Sequence, residues 1–201
     1  MIENLVNLDK KVFLALNHFA GPAMDPVMRF LSGPIPWIIF IVGILVILWS
    51  TPERDYRNRA LVALATLILA YVVSEQTSVH LFKDVFMRLR PCHEPTLEGQ
   101  VRLVAASCGG QFGFVSTHAA NSFNLAILSA LLVKRRWFTY SVFAWAIMVS
   151  YSRIYMGVHY PGDVLCGALL GMAIGITAYA ISHRITRKWR NPVPSFNSKA
   201  S

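Results

Sequence analysis

Five apolar runs, each near the length that crosses a hydrocarbon core of about 30 Å, decide what this chain can fold into. They are Ile35–Trp49, Ala60–Val79, His118–Val133, Trp137–Tyr155 and Val164–Ile181. Hydrophobic residues make up 55% of the chain and charged residues 14%, too little charged surface for a soluble domain. The predicted fold is all-α: a polytopic membrane helical bundle of about five transmembrane helices.

The first 31 residues read differently. Leu5, Leu8, Val12, Leu16 and Phe19 recur at helical spacing, with Asn7, Asp9, Lys10 and Lys11 between them. That pattern predicts an amphipathic helix lying in the membrane interface or packed on the rest of the protein. Gly21-Pro22 breaks it and Asp25-Pro26 restarts it. Met1-Ile2-Glu3-Asn4-Leu5 lacks the pattern of a cleavable signal, so the first apolar span is expected to direct its own insertion. Residues 1–190 are expected to form one membrane-embedded domain, and 191–201, polar with Pro192 and Pro194, a disordered tail.

The net charge of +9 does not point to nucleic acid, because no nucleic-acid module is recognisable. The cations fall instead in clusters between the spans. Arg54, Arg57 and Arg59 separate the first two, and Lys134, Arg135 and Arg136 the third and fourth; Arg184, Arg187, Lys188 and Arg190 follow the fifth. Alternation puts all three clusters on one side, which the positive-inside rule makes cytoplasmic. The loops 80–117 and 156–163 then share the extracytoplasmic face of the inner membrane. Lys83, Arg88, Arg90 and Arg102 lie on the wrong side for that rule, which suggests that function holds them there.

Three clusters carry chemistry, all at the outer ends of spans. In Lys83–Pro91 the spacing places Lys83 and Arg90 on one helical face, and two converging cations suit a phosphoryl group. A basic stretch touching lipid headgroups is the alternative. In Phe114–His118, Ser116 or Thr117 is a natural N-cap, so free N–H groups of a helix start form an anion site. His118 in the first turn is placed to protonate a leaving group; a plain cap beside an interfacial histidine is the alternative. In Ser152–Asp163, Pro161 suits a first helical turn. Asp163 can then reach one ring nitrogen of His159 and leave the other free as a nucleophile, with Arg153 as a third cation. Charged side chains gathered at a membrane boundary for packing alone would be expensive.

Together these residues describe one site. Lys83, Arg90 and Arg153 would neutralise phosphoryl oxygens, His159 would attack phosphorus, Asp163 would orient it, and His118 would protonate the departing oxygen. No ligand set for a metal is evident, and no cofactor is expected. The expected partners are a lipid phosphate and the membrane lipids themselves. Two other readings use the same cations: a phosphotransferase working through the same phosphohistidine, and a headgroup-binding or transport protein without chemistry.

The three clusters, in this order, resemble the type 2 phosphatidic acid phosphatase family, whose pattern is K-x6-R-P, P-S-G-H and S-R-x5-H-x3-D. Lys83, Arg90 and Pro91 match the first, and Ser152, Arg153, His159 and Asp163 the third. The second reads Val115-Ser116-Thr117-His118, keeping Ser116 and His118 and replacing the Pro and the Gly. The resemblance implies a helical-bundle phosphomonoesterase or diphosphatase in which Ser116, Thr117 and Ser152 join the cations around the phosphate. Phosphatidate, phosphatidylglycerol phosphate, undecaprenyl diphosphate and lipid A phosphates are the substrates it implies.

Other features bear on the loop and the packing. Cys92 and Cys108 bracket the loop between the first two clusters; on an extracytoplasmic face a disulfide closing it would stabilise it by roughly 3 kcal/mol, and two free thiols are the alternative. Cys166, in an apolar run, reads as a small hydrophobe. Glu75 is expected to pair with a site cation, whereas His80, His93 and Glu94 read as loop residues outside the site. Gly167, Gly171 and Gly175 recur every fourth residue and predict close helix packing, within the chain or between chains. Trp37, Trp49 and Trp137 read as interfacial anchors.

Overall fold

A computed structural model describes residues 2–19, 21–49 and 56–190. Arg54 and the tail 191–201 lie outside the described residues, as do the side chains of Trp49, Arg57, Arg59, Lys188 and Arg190. The helices are α1 (Ile2–His18), α2 (Asp25–Ser32), α3 (Pro34–Trp49), α4 (Tyr56–Gln76), α5 (Asp84–Phe86), α6 (Thr117–Val133), α7 (Arg136–Tyr155) and α8 (Pro161–Arg190). Among the described residues no strand forms; a single antiparallel bridge joins Leu89 to Phe112.

The architecture is all-helical, as predicted. Leu61–Phe86 and Pro161–Arg187 are long and apolar enough to cross a membrane. The α2–α3 pair, bent by 51°, passes the same test only when taken as one span, and Thr117–Val133 is a shorter apolar helix. Two spans differ in extent from the sequence reading. The second span does not end at Val79, because π-helical turns over Thr77–Lys83 carry α4 on into α5. Ser74 and Ser78 are fully buried, so these polar residues face the protein and give the helix no reason to stop. The fifth span is longer at both ends, running from Pro161 to Arg190.

The core lies where α6, central in the bundle, meets α4, α7 and α8. Ile44, Leu67, Ala70, Ala126, Leu128, Phe138, Val142 and Ala146 bury their side chains together. Large apolar residues such as Ile38, Leu69, Ile147 and Leu165 are exposed, as lipid-facing sides are. The glycine stripe of α8 faces α6 within the chain. A Cβ on Gly167 would meet the Ser116 carbonyl, and one on Gly171 the Ala120 carbonyl. Two backbones can approach this closely only because neither glycine has a side chain.

That approach brings three helix ends to one end of the bundle. Ser116 caps α6 by accepting from the Ala119 N–H at 3.5 Å, and its own N–H donates to the Asp163 carbonyl at 3.0 Å in the first turn of α8. Over this end folds the segment between α5 and α6. It doubles back so that Arg90 N–H donates to Gln111 at 3.1 Å and Gly113 N–H to Arg88 at 2.8 Å. Cys92 and Cys108 are joined by a disulfide, with Cα atoms 6.0 Å apart. Gly157, at φ 82°, turns the chain from α7 toward α8 against the Arg102 carbonyl, where a Cβ would lie 2.9 Å from that oxygen.

Helix α1 lies across the same end, amphipathic as predicted. Leu5, Leu8, Val12 and Phe19 are exposed, while Asp9, Phe13 and Asn17, each one turn apart, face inward. Asn17 is fully buried; its amide donates to the carbonyls of Arg102 at 3.0 Å, Ile154 at 3.3 Å and Tyr155 at 2.8 Å. It also accepts from the Arg102 N–H at 2.9 Å. The helix therefore packs on the protein with its polar stripe and turns its apolar face outward.

Candidate active site

His159 leaves the chain between α7 and α8, 2% exposed. Its Nδ1 lies 3.5 Å from Oδ2 of Asp163, close enough for an ion pair, and makes no hydrogen bond among the described residues. Asp163 is fully buried and held from two sides. Its Oδ2 accepts from the Tyr160 N–H at 2.9 Å, and its Oδ1 from Arg88 at 2.8 Å. The first-turn position of Asp163, three residues past Tyr160, is what lets its carboxylate turn back on its own N-terminus.

Arg90 comes to the same place from the doubled-back segment. Its Nε donates to the Phe112 carbonyl at 3.2 Å and its Nη1 to the Cys108 carbonyl at 2.9 Å. Gly113 marks the convergence: a Cβ there would lie 3.1 Å from Arg90 Cγ, 3.2 Å from Asp163 Oδ2 and 3.5 Å from His159 Nδ1. Arg90, Asp163 and His159 thus meet across the width of one missing side chain.

The other predicted residues surround this point. Lys83 donates to the Thr117 hydroxyl at 2.7 Å, tying the π-helical turns after α4 to the start of α6. Arg153 donates through Nη1 to Ser32 at 2.9 Å, while its buried Nε has no hydrogen-bond partner among the described residues. Ser152 is fully buried. Its hydroxyl donates to the Val149 carbonyl at 2.6 Å and lies 2.8 Å from the Ser32 hydroxyl, so its contacts here brace Arg153 through Ser32. His118 sits edge-on to Trp37, ring centroids 6.2 Å apart. Trp37 is half-buried and also packs on Trp145 at 5.0 Å.

Burial, followed by the charges of Arg90, Arg153 and Lys83, holds the His159 imidazole well below the usual histidine value. A neutral ring keeps a lone pair for attack. Burial also works against the charge of Arg88, but Asp163 and Asp9 outweigh it and raise its guanidinium above the ordinary value.

Three placements were not read from the sequence. Arg88 is the partner of Asp163, and only its charge on the disfavoured side of the membrane hinted at a task. Ser32, the support of Arg153, comes from the end of α2 and carried no signal. Glu75 does not pair with a site cation in the structure; its Oε2 accepts from the amide of Asn121 at 2.7 Å, because that residue lies across from it on α6. His80 pairs with Asp84 at 3.2 Å and Glu94 with Lys10 at 3.1 Å, both away from His159. Among the described residues no three His, Cys, Asp or Glu side chains are grouped to hold a metal ion.

Comparison with known proteins gives this geometry a context. The model of the PAP2 superfamily matches residues 59–187. A lipid A 4'-phosphatase of Bacteroides thetaiotaomicron is 34% identical over 195 residues, spanning 96% of this chain and 85% of that one. A lipid A 4'-phosphatase of Porphyromonas gingivalis is 28% identical over 189 residues, 94% of this chain and 78% of that one. Among solved structures, a transmembrane PAP2 type phosphatidylglycerolphosphate phosphatase from Bacillus subtilis superposes with a TM-score of 0.67 at 19% identity. That match covers 92% of this chain and 89% of that one.

Proposed function

This chain belongs to the PAP2 superfamily and is a membrane phosphatase, and from that premise we propose that it removes phosphate from a lipid through a phosphohistidine on His159. The observation that carries the reading is the meeting of His159, Asp163 and Arg90 around Gly113. In the first step the free ring nitrogen of His159 attacks phosphorus and the bond from phosphorus to the lipid oxygen breaks. His118 gives its proton to that oxygen, and Asp163 supports the ring as it becomes cationic. Lys83, Arg90, Arg153 and the N–H groups at the start of α6 hold the phosphoryl oxygens. In the second step water attacks phosphorus, His118 takes its proton, and the phosphorus–nitrogen bond breaks to release phosphate. Neither step is routed through a metal.

A lipid A phosphate is the first candidate substrate, on the strength of the two relatives of that name. Undecaprenyl diphosphate, phosphatidylglycerol phosphate and phosphatidate are the comparison arms. The reading places the site on the extracytoplasmic face of the inner membrane, because Lys134, Arg135 and Arg136 mark the opposite end of α6. Purified protein in detergent with EDTA, offered this panel, is expected to release phosphate and to prefer one lipid. Absence of release from every lipid would sink the reading.

The pH profile supplies an independent check. The lowered value of His159 keeps its attacking form populated as pH falls through 6.5, the ordinary histidine value. The acid limb of kcat/KM is therefore expected below that pH. The same shift means that the unfolded chain takes up this proton first, so the contribution to stability is present above that pH and is lost as pH falls below it. An acid limb at or above the ordinary histidine value would contradict the assignment.

A further inference from the structure

The interfacial helix α1 reaches the catalytic pair through one side chain. Asp9 Oδ2 accepts from Arg88 Nη2 at 2.7 Å, and Asp9 Oδ1 accepts from the Gly162 N–H at 2.9 Å, in the first turn of α8. The other terminal nitrogen of Arg88 is the one bonded to Asp163 at 2.8 Å. The guanidinium also lies 4.2 Å above the Tyr160 ring, which restricts its rotation. The chain of contacts therefore runs from Asp9 to Arg88 to Asp163 to His159, linking a helix with an outward apolar face to the proposed nucleophile.

We propose that Asp9 is a positioning residue for the phosphatase reaction, dividing the Arg88 guanidinium so that Asp163 keeps an oxygen directed at His159. Two physical consequences follow if Asp9 loses its charge. An Arg freed on one side turns both terminal nitrogens onto a carboxylate, the bidentate arrangement that guanidinium favours. Asp163 is then drawn away from His159. A negative charge that opposed Arg88 is also lost, so the ring becomes harder to protonate. Lys83, Arg90 and Arg153, the proposed phosphate-binding cations, do not touch Asp9. Turnover should fall with little change in KM.

The inference rests on the phosphatase reading, so the experiment first requires phosphate release by the parent protein and none by His159→Ala. Asp9→Asn keeps the shape and an acceptor for the Gly162 N–H while removing the charge. It is expected to lower kcat by about 10- to 100-fold, the scale of a small misplacement acting from outside the reacting centre. KM should stay within about twofold, and the acid limb should move to lower pH. That limb belongs to His159, which faces Asp163 from α8, His118 from α6, Arg153 from α7, Lys83 from the π-helical turns after α4 and Arg90 from the overlying segment.

Asp9→Glu keeps the charge and should retain kcat within about threefold, which makes it the deciding variant should Asp9→Asn not purify as folded protein. Lys10→Ala loosens the same helix at its contacts with Glu94 and Thr96 and should leave kcat unchanged. The proposal is overturned if kcat in Asp9→Asn stays within twofold, if Asp9→Glu loses as much as Asp9→Asn, or if Lys10→Ala reproduces the loss. An acid limb moving toward the ordinary histidine value would overturn it too, as the sign of a site merely opened to water.

Discussion

Replacing His159 with alanine is expected to cut phosphate release by about ten-thousand-fold or more, as removal of an attacking nucleophile does. The protein should still purify from membranes as a folded species. The imidazole is one of the largest fully buried side chains, so some stability is lost with it. Its loss leaves Arg88, Tyr160 and Asp163 bonded to one another, which keeps the local frame. The decisive readout is covalent. Brief exposure to a substrate labelled on phosphorus should leave acid-labile, alkali-stable label on the parent protein and none on the variant. Turnover by His159→Ala within tenfold of the parent, or label that persists in it, would remove His159 from the role of nucleophile.

The second large effect is on the fold. Gly171→Val should destabilise the protein by about 3 kcal/mol or more, at the upper end of the cost of overpacking. A Cβ at this position collides with the carbonyl group of Ala120 and lies 2.9 Å from the Asn124 N. These are backbone atoms, so no side-chain rotation relieves the clash, and α6 and α8 must move apart. Separation also breaks the Ser116–Asp163 link at the ends of the same helices, so activity should fall with stability. Gly43→Ala is the control, because nothing lies within 4 Å of a Cβ there; alanine in a helix interior should be neutral or stabilising by up to about 1 kcal/mol. Gel filtration and melting in detergent measure both. Equal behaviour of the two variants would mean that the close approach of α6 and α8 is not what holds the bundle.

The contacts describe a site built where helix ends meet the doubled-back segment that carries Arg90 and Gly113. Lys83 lies one turn before the end of one helix, Thr117 starts the next, and Arg153 and Asp163 lie in the last and first turns of two others. The free N–H groups of α6 and the carbonyl of Asp163 are satisfied by this arrangement or turned toward it. A phosphatase at a membrane surface gains from that economy, since irregular backbone there must be satisfied by protein or water.

What the sequence by itself determined follows from local rules. Apolar runs, cap residues and basic clusters act over one turn or one span, so the helical class, the cap before α6 and the amphipathic α1 were all legible. Lys83, Arg90, His118, Arg153, His159 and Asp163 were legible as site candidates because each sits at a span end, where charge needs a reason. Only the tertiary structure decided which partner each side chain meets. Nothing in the spacing tells Arg88 to choose Asp163, Ser32 to support Arg153, or Asp9 to reach across 79 residues to Arg88. Those choices depend on how closely α6 and α8 pack and where α1 comes to rest, and distances of that kind are set by the sum of all the contacts.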